Sequence, residues 1–362
     1  MSKIISKYPC RAVGIFILFC SLFAISCETS SKSAKSGAQM PDWVTGVPSA
    51  YPKQEYLTGT GSASEKRLSE IDAINNLVSI FGQSINSSAM ASRRMAMAQS
   101  AEVVASSDAS ALGQDILREV NQNDVIAIEV PDFFESKSEN KWYALAIMNR
   151  TYASQIYSSM IEKNQAEISS ILAQYKSSAE PNTLLNFSRL DFAEEIAGIN
   201  ETYLKRLTIL NPAIAKKYDS ITTAIQIHKM KSELAAQIPI CVTMDGEIDS
   251  DGRIAKSFQE VMSSFGFNTT LGSNERYVIS SKIYFTQSEN ANTKTQFCEY
   301  AVEASLNDTF SGETLVPLSI TGREGSPTYQ NAQTRAKQKI ITKVKSDFAQ
   351  NFQKYLGEFS AF

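Results

Sequence analysis

The hydrophobic residues of this chain change period twice, and that change limits the folds open to it. From about Thr151 to Gln237 they recur every three or four positions, as in helices that bury one face. Short apolar runs lie on either side: VIAIEV at Val125–Val130, WYALAIM at Trp142–Met148 and a segment over Ile238–Met244. These read as strands. The expected fold is therefore α+β, with a small αβ domain over 41–150, a helical spacer over 151–237 and a second αβ domain over 238–362.

In the first domain, EYLTGTGSA reads as a strand and turn. Leu68, Ile71, Ile74, Leu77, Val78, Phe81 and Ile85 then mark one helix face, and Ser136–Lys141 forms a polar connection between strands. Ser87–Ser110 is made largely of Ala, Ser and Met, and reads as a loose helix or loop or as an adaptable partner-binding surface. The spacer holds three candidate helices, broken near Glu180-Pro181 and Asn211-Pro212, because proline restricts the residue before it. In the last of them Ile214, Tyr218, Ile221, Ile225 and His228 follow a 4-3-4-3 spacing, the seam of a helical hairpin or short coiled coil and hence of an elongated stalk. The final domain reads in the order βαββββα. Ile254, Phe258, Val261, Met262 and Phe265 line its first helix, and Ile340, Ile341, Val344, Phe348, Phe352 and Tyr355 line a long last one. An antiparallel sheet with two helices on one face is expected.

The N-terminus speaks to location. Lys3, Lys7 and Arg11 precede an apolar run from Ala12 to Ile25 that is short for a membrane span and reads as a secretory signal over 1–26. Its end, Leu22-Phe-Ala-Ile-Ser-Cys27, looks like a bacterial lipobox, and the polar residues that follow suit a flexible tether over 27–40. Cys27 is thus the expected lipidation site. Two or three acyl chains, at about 0.8 kcal/mol per buried CH₂, would make a lasting anchor. Glu28 stands where an inner-membrane retention signal carries Asp, which points to the outer membrane, facing either periplasm or cell surface.

The whole chain carries 35 basic and 38 acidic residues; without the signal it is more acidic, which argues against general nucleic-acid binding. Of the five cysteines, Cys241 and Cys298 remain after processing. Both fall in strand-like segments, so a cross-strand disulfide and two separate buried thiols are both open readings.

No motif carries an evident reaction, and neither catalytic, cofactor nor metal residues are expected. Gly59-x-Gly61 lacks the third glycine of a dinucleotide loop, where Ser64 stands, and the lysine of a P-loop. Its glycines read as a sharp strand-to-helix turn at positive φ, with Ser62 or Ser64 capping the helix. Asp245, Glu247, Asp249 and Asp251 resemble a calcium loop, but Ser250 and Lys256 occupy the positions of its glycine and bidentate glutamate. A helix cap in a solvated turn is the better reading. His228 is the sole histidine, and its place on a helical seam reads as structural. Trp43 and Trp142 read as core residues or as a platform for a sugar.

One resemblance joins these features. PDWV, then YLTGTGSAS, an amphipathic helix (IDAINNLVSIFGQSI) and later KWYALAIMNR resemble the LPP-twenty family of bacterial lipoproteins over about Pro41–Tyr157. Trp43, Gly59, Gly61, Tyr143, Ala144, Leu145, Ala146 and Arg150 fill the motif places. The resemblance implies a small αβ domain on a lipid-anchored envelope protein without known catalysis. The expected function is accordingly a non-enzymatic interaction or assembly component with envelope proteins as partners; the alternative is a peptidoglycan- or glycan-binding module.

Overall fold

The computed structural model describes residues 40–46, 48–81, 125–244, 249, 251–272, 274–290 and 295–358. Ile85 and the Ala/Ser/Met segment 87–110 lie outside them. The architecture is α+β, as expected.

The first sheet contains β1 (Tyr56–Ala63), β2 (Glu129–Ser136) and β3 (Lys141–Asn149), all antiparallel, in the order β1-β3-β2. A one-turn helix, α1 (Asp42–Thr45), precedes it, and α2 (Lys66–Ser79) follows β1. Central β3 is covered on both faces, which is why WYALAIM is a continuous apolar run. Ala144, Ala146 and Met148 join the core beneath α2, whereas Leu145 and Ile147 pack with Trp43 of α1.

Two expectations are corrected in this domain. The strand expected at Val125 begins only at Glu129: Ala127 is left-handed (φ 65°), and the register slips between Glu129 and Asp132 around Pro131. An edge strand tolerates such a bulge and a residue with no N–H to donate. The packing face of α2 is as expected at Leu77, Val78 and Phe81, which are buried, and at Ile74, which packs against them, but differs at its N-terminal end. Ser69, Ala73 and Leu77 are buried at i, i+4 and i+8, while Leu68 is 47% exposed. At that end the small residues Ser69 and Ala73 form the contact in place of Leu68.

Two long helices follow, α3 (Arg150–Ser177) and α4 (Leu184–Leu210). Asn149 and Thr183 cap them, their side chains accepting from the amides of Tyr152 and Asn186. The pair is antiparallel and belongs to both cores. Tyr157 and Ile161 of α3 and Leu207 and Leu210 of α4 pack with the first sheet; Ile168, Ile171, Leu184 and Leu190 pack with the second. The helices therefore form a shared beam rather than a free stalk.

The expected continuous seam breaks into α5 (Pro212–Ala215), a 3₁₀ turn (Lys216–Tyr218) and α6 (Ala224–Ala235). Thr223 and Gln226 form a reciprocal capping box that starts α6 afresh. Ile214, Tyr218 and Ile221 pack in the first core, Ile227 enters the second, and Ile225 is 79% exposed.

The second sheet comprises β4 (Ile240–Met244), β5 (Thr269–Leu271), β6 (Tyr277–Asn290), β7 (Thr295–Asp308) and β8 (Glu313–Ser326), in the order β5-β4-β6-β7-β8. It is mixed, not purely antiparallel, because β4 runs parallel to both neighbours. α7 (Arg253–Ser264) carries the chain back between β4 and β5, and such a crossover makes the two strands parallel. The final helix runs as α8 (Tyr329–Lys343), a π turn (Val344–Phe348) and α9 (Ala349–Glu358). The face expected of it is buried from Ile340 to Tyr355. Edge-to-face pairs Phe258–Phe348 and Phe265–Phe352, with centroids 5.1 and 4.8 Å apart, lock it against α7. α4, α6, α7, α8 and α9 all contribute to this core, more than the two helices expected.

Candidate functional site

Gly59 and Gly61 lie inside β1 rather than in a turn, and neither needs a positive φ. With Ala144 and Ala146 opposite them on β3, they floor a shallow groove that receives Ala73. A β-carbon on Gly59 would come within 2.6 Å of the Ala73 carbonyl oxygen; one on Gly61 would overlap the Ala73 amide and the Ser69 carbonyl. The space a phosphate would need is filled by helix backbone. Neither expected serine caps the helix: α2 starts at Glu65 without a side-chain cap bond. Instead α2 reaches the strand edge, where Asp72 accepts the Ser62 N–H (2.8 Å) and Asn76 donates to the Thr60 carbonyl (2.9 Å).

Arg150, the last residue of the motif set, acts as a clamp. Its Nε donates to the Lys53 carbonyl at 2.9 Å, and Nη1 donates to the carbonyls of Ile209 and Leu210 at 2.8 and 3.2 Å. It thereby ties the C-terminal end of α4, where carbonyls lack helical partners, to the segment entering β1. Trp43 is buried, whereas Trp142 is half-buried on the opposite face of β3, beside Lys66 and Phe133. The two tryptophans share no platform.

In the acidic turn, Asp249 accepts from the amides of Ile254 (3.1 Å) and Ala255 (2.8 Å) and so holds the start of α7. Asp251 pairs with Lys337 at 3.7 Å; Asp245 and Glu247 lie outside the described residues. Among the described residues no group of three or more metal-ligating side chains converges. His228 sits on the surface of α6 with Nδ1 3.0 Å from Glu194, which also pairs with Lys231 at 2.6 Å.

Of the two open readings for the cysteines, the structure shows the separate buried thiols. Cys241 and Cys298 are both free and buried. Cys241 aligns with Val278 of β6 and Cys298 with Gln287, nine residues further along that strand. At about 3.4 Å per residue this separates them by roughly 30 Å, whereas a disulfide needs Cα atoms about 4.4–6.8 Å apart.

Two features escaped the sequence. Arg276, just before β6, is bidentate to Asp308 (2.8–3.1 Å) and pairs with Glu180 at 2.7 Å, flanked by Tyr277 and Phe310. Burial pushes the Asp308 carboxyl up, but the Arg276 hydrogen bonds and the Phe310 amide outweigh this and hold it below the usual carboxylate range. The cluster pins the α3–α4 connection to the second sheet. The other feature is the face of that sheet turned away from the helices, with a surface depression of about 430 Å³ lined by Tyr284, Thr286, Glu299, Ala301, Thr321 and Arg323. Polar residues at every second position of β6, β7 and β8 were its signal in the sequence.

No family model matches the chain, and no curated protein does. Among solved structures, the secreted protein HP1454 of Helicobacter pylori is similar over 80% of this chain and 97% of its own, with a TM-score of 0.42 and 14% identity. A minor lipoprotein of Acinetobacter baumannii covers 33% of this chain and 90% of its own (TM-score 0.24, 13% identity). A lipoprotein of Neisseria meningitidis covers 30% and 97% (TM-score 0.22, 12% identity). These three solved structures are bacterial secreted proteins or lipoproteins.

Proposed function

We propose that this is a lipid-anchored protein of the bacterial envelope, held at the outer membrane through Cys27, whose folded unit works by engaging other proteins rather than by catalysis. The observation that carries the reading is the junction of anchor and fold. Cys27 closes the apolar run, and the first helix starts at Asp42, directly after the polar segment. No helix of the described residues is long and apolar enough to cross a membrane. The polar sheet face around Tyr284 and Arg323 supports an interaction role, because it carries side chains able to hydrogen-bond a partner.

Palmitate labelling of cells tests the anchor. Wild-type protein takes up label and Cys27→Ala does not; a labelled Cys27→Ala protein would overturn the assignment. Crosslinking in intact cells followed by mass spectrometry tests the interaction role, which requires protein adducts that the native fold forms and a heat-unfolded sample does not.

A further inference from the structure

The two sheets end in the strands β1, β2, β5 and β8, and three of these four are blunted; β6 also runs past β4 from Lys282, with no partner strand on that side among the described residues. β1 is blunted by Asp72 and Asn76, which bond two of its outward backbone groups, the Ser62 N–H and the Thr60 carbonyl. β2 carries Pro131 and a register slip, and β5 is three residues long. These are common ways of preventing one sheet from adding to another. β8 differs: it is 14 residues long and closed only towards its ends.

The pattern of closure reveals which of its backbone groups face outward. Pro317 has no N–H, and its carbonyl accepts from Asn351 Nδ2 of α9 at 3.0 Å. The Gly325 carbonyl accepts from Arg335 Nη1 of α8 at 2.9 Å. Inward and outward residues alternate along an antiparallel ladder, so Ser319, Thr321 and Arg323, of the same parity, also direct N–H and C=O away from β7. All three residues are exposed, and among the described residues no group bonds these outward backbone atoms. The result is an open window of about 14 Å between two closed ends.

We infer that this window pairs with the same window of a second copy of the chain, antiparallel about a two-fold axis at Thr321. The side chains favour that register. Thr321 meets Thr321 of the second copy, a pairing well suited to cross-strand contact, and Ser319 meets Arg323, so no like charges oppose. Each of the three outward residues exchanges two backbone hydrogen bonds with its opposite number, and the closed positions at 317 and 325 bound the match. An isologous contact of this kind is self-limiting, since it uses up the edge on both copies. This inference rests on the interaction role proposed above and names the chain itself as partner.

The test is cysteine crosslinking of the full-length protein in its own membrane. Opposed residues in an outward pair have Cα atoms about 5.5 Å apart, within disulfide reach. Thr321→Cys is expected to give a reducible adduct of twice the chain mass. Glu303→Cys, exposed on the same face but on β7, which is paired on both sides, and the parent chain should give none. Thr321→Pro removes one outward N–H without touching the ladder and should abolish dimer in detergent-solubilised protein sized by light scattering. A monomeric Thr321→Cys protein, or a Thr321→Pro protein that stays dimeric, overturns the pairing. An adduct containing a different protein overturns it too, while leaving the interaction role standing.

Discussion

Gly61 lies so close to Ala73 that a β-carbon on the glycine would overlap the alanine amide nitrogen, placing strand β1 and helix α2 in backbone contact. Gly61→Ala must push the helix off the sheet. A loss of about 3 kcal/mol, at the upper end for overpacking, is expected in urea unfolding. Gly198, inside α4, is the contrast: a β-carbon there would meet nothing within 4 Å. Gly198→Ala should gain about 0.5–1 kcal/mol through helix propensity. Equal stability of Gly61→Ala and wild type would disprove the contact.

Arg150→Lys keeps the charge but not the planar fork that serves three carbonyls in two segments. A loss of about 2 kcal/mol is expected, in the range for hydrogen bonds to a charged group. Limited proteolysis should show earlier cleavage around Lys53, now untied from α4. An unchanged cleavage pattern would mean that the clamp does not hold this segment.

Asp308 supplies a pH dependence. Its folded carboxyl titrates below the ordinary aspartate value of about 3.9, so its stabilising contribution is complete above that value. It is lost as pH falls through the lower folded value, where the native state must also take up the proton. Asp308→Asn should therefore be less stable than wild type at neutral pH, with the gap narrowing below about pH 4. A gap that stayed constant into acid would show that the carboxylate charge contributes nothing.

Cys241 and Cys298 should behave as two inert thiols. Burial pushes the Cys298 thiol up, away from the reactive thiolate. In protein expressed from Glu28 onward, which lacks Cys10, Cys20 and Cys27, intact mass should be the same with and without reductant, and alkylation should add two groups only in denaturant. A two-proton mass deficit relieved by reductant would restore the disulfide.

Much of the fold was legible along the chain. Pro181 and Pro212 marked the ends of the long helices, and the periodicity of α7 and of the final helix named the faces that are buried. Asp249 read as a helix-holding carboxylate rather than a calcium ligand, and it is one. In each case the deciding groups lie within a few turns of one another, so sequence spacing stands in for distance.

What the sequence determined alone was therefore the α+β class, the order of helix and strand, and the placing of Cys27 at the end of an apolar run. Only the tertiary structure decided what Gly59 and Gly61 are for, that Arg150 reaches α4, that the two cysteines lie apart, and that β8 keeps an open edge. Local periodicity and caps depend on neighbours along the chain. The fit of a glycine under a helix, or of a carbonyl against a guanidinium, depends on which segment arrives from elsewhere, and packing settles that only once the whole core has formed.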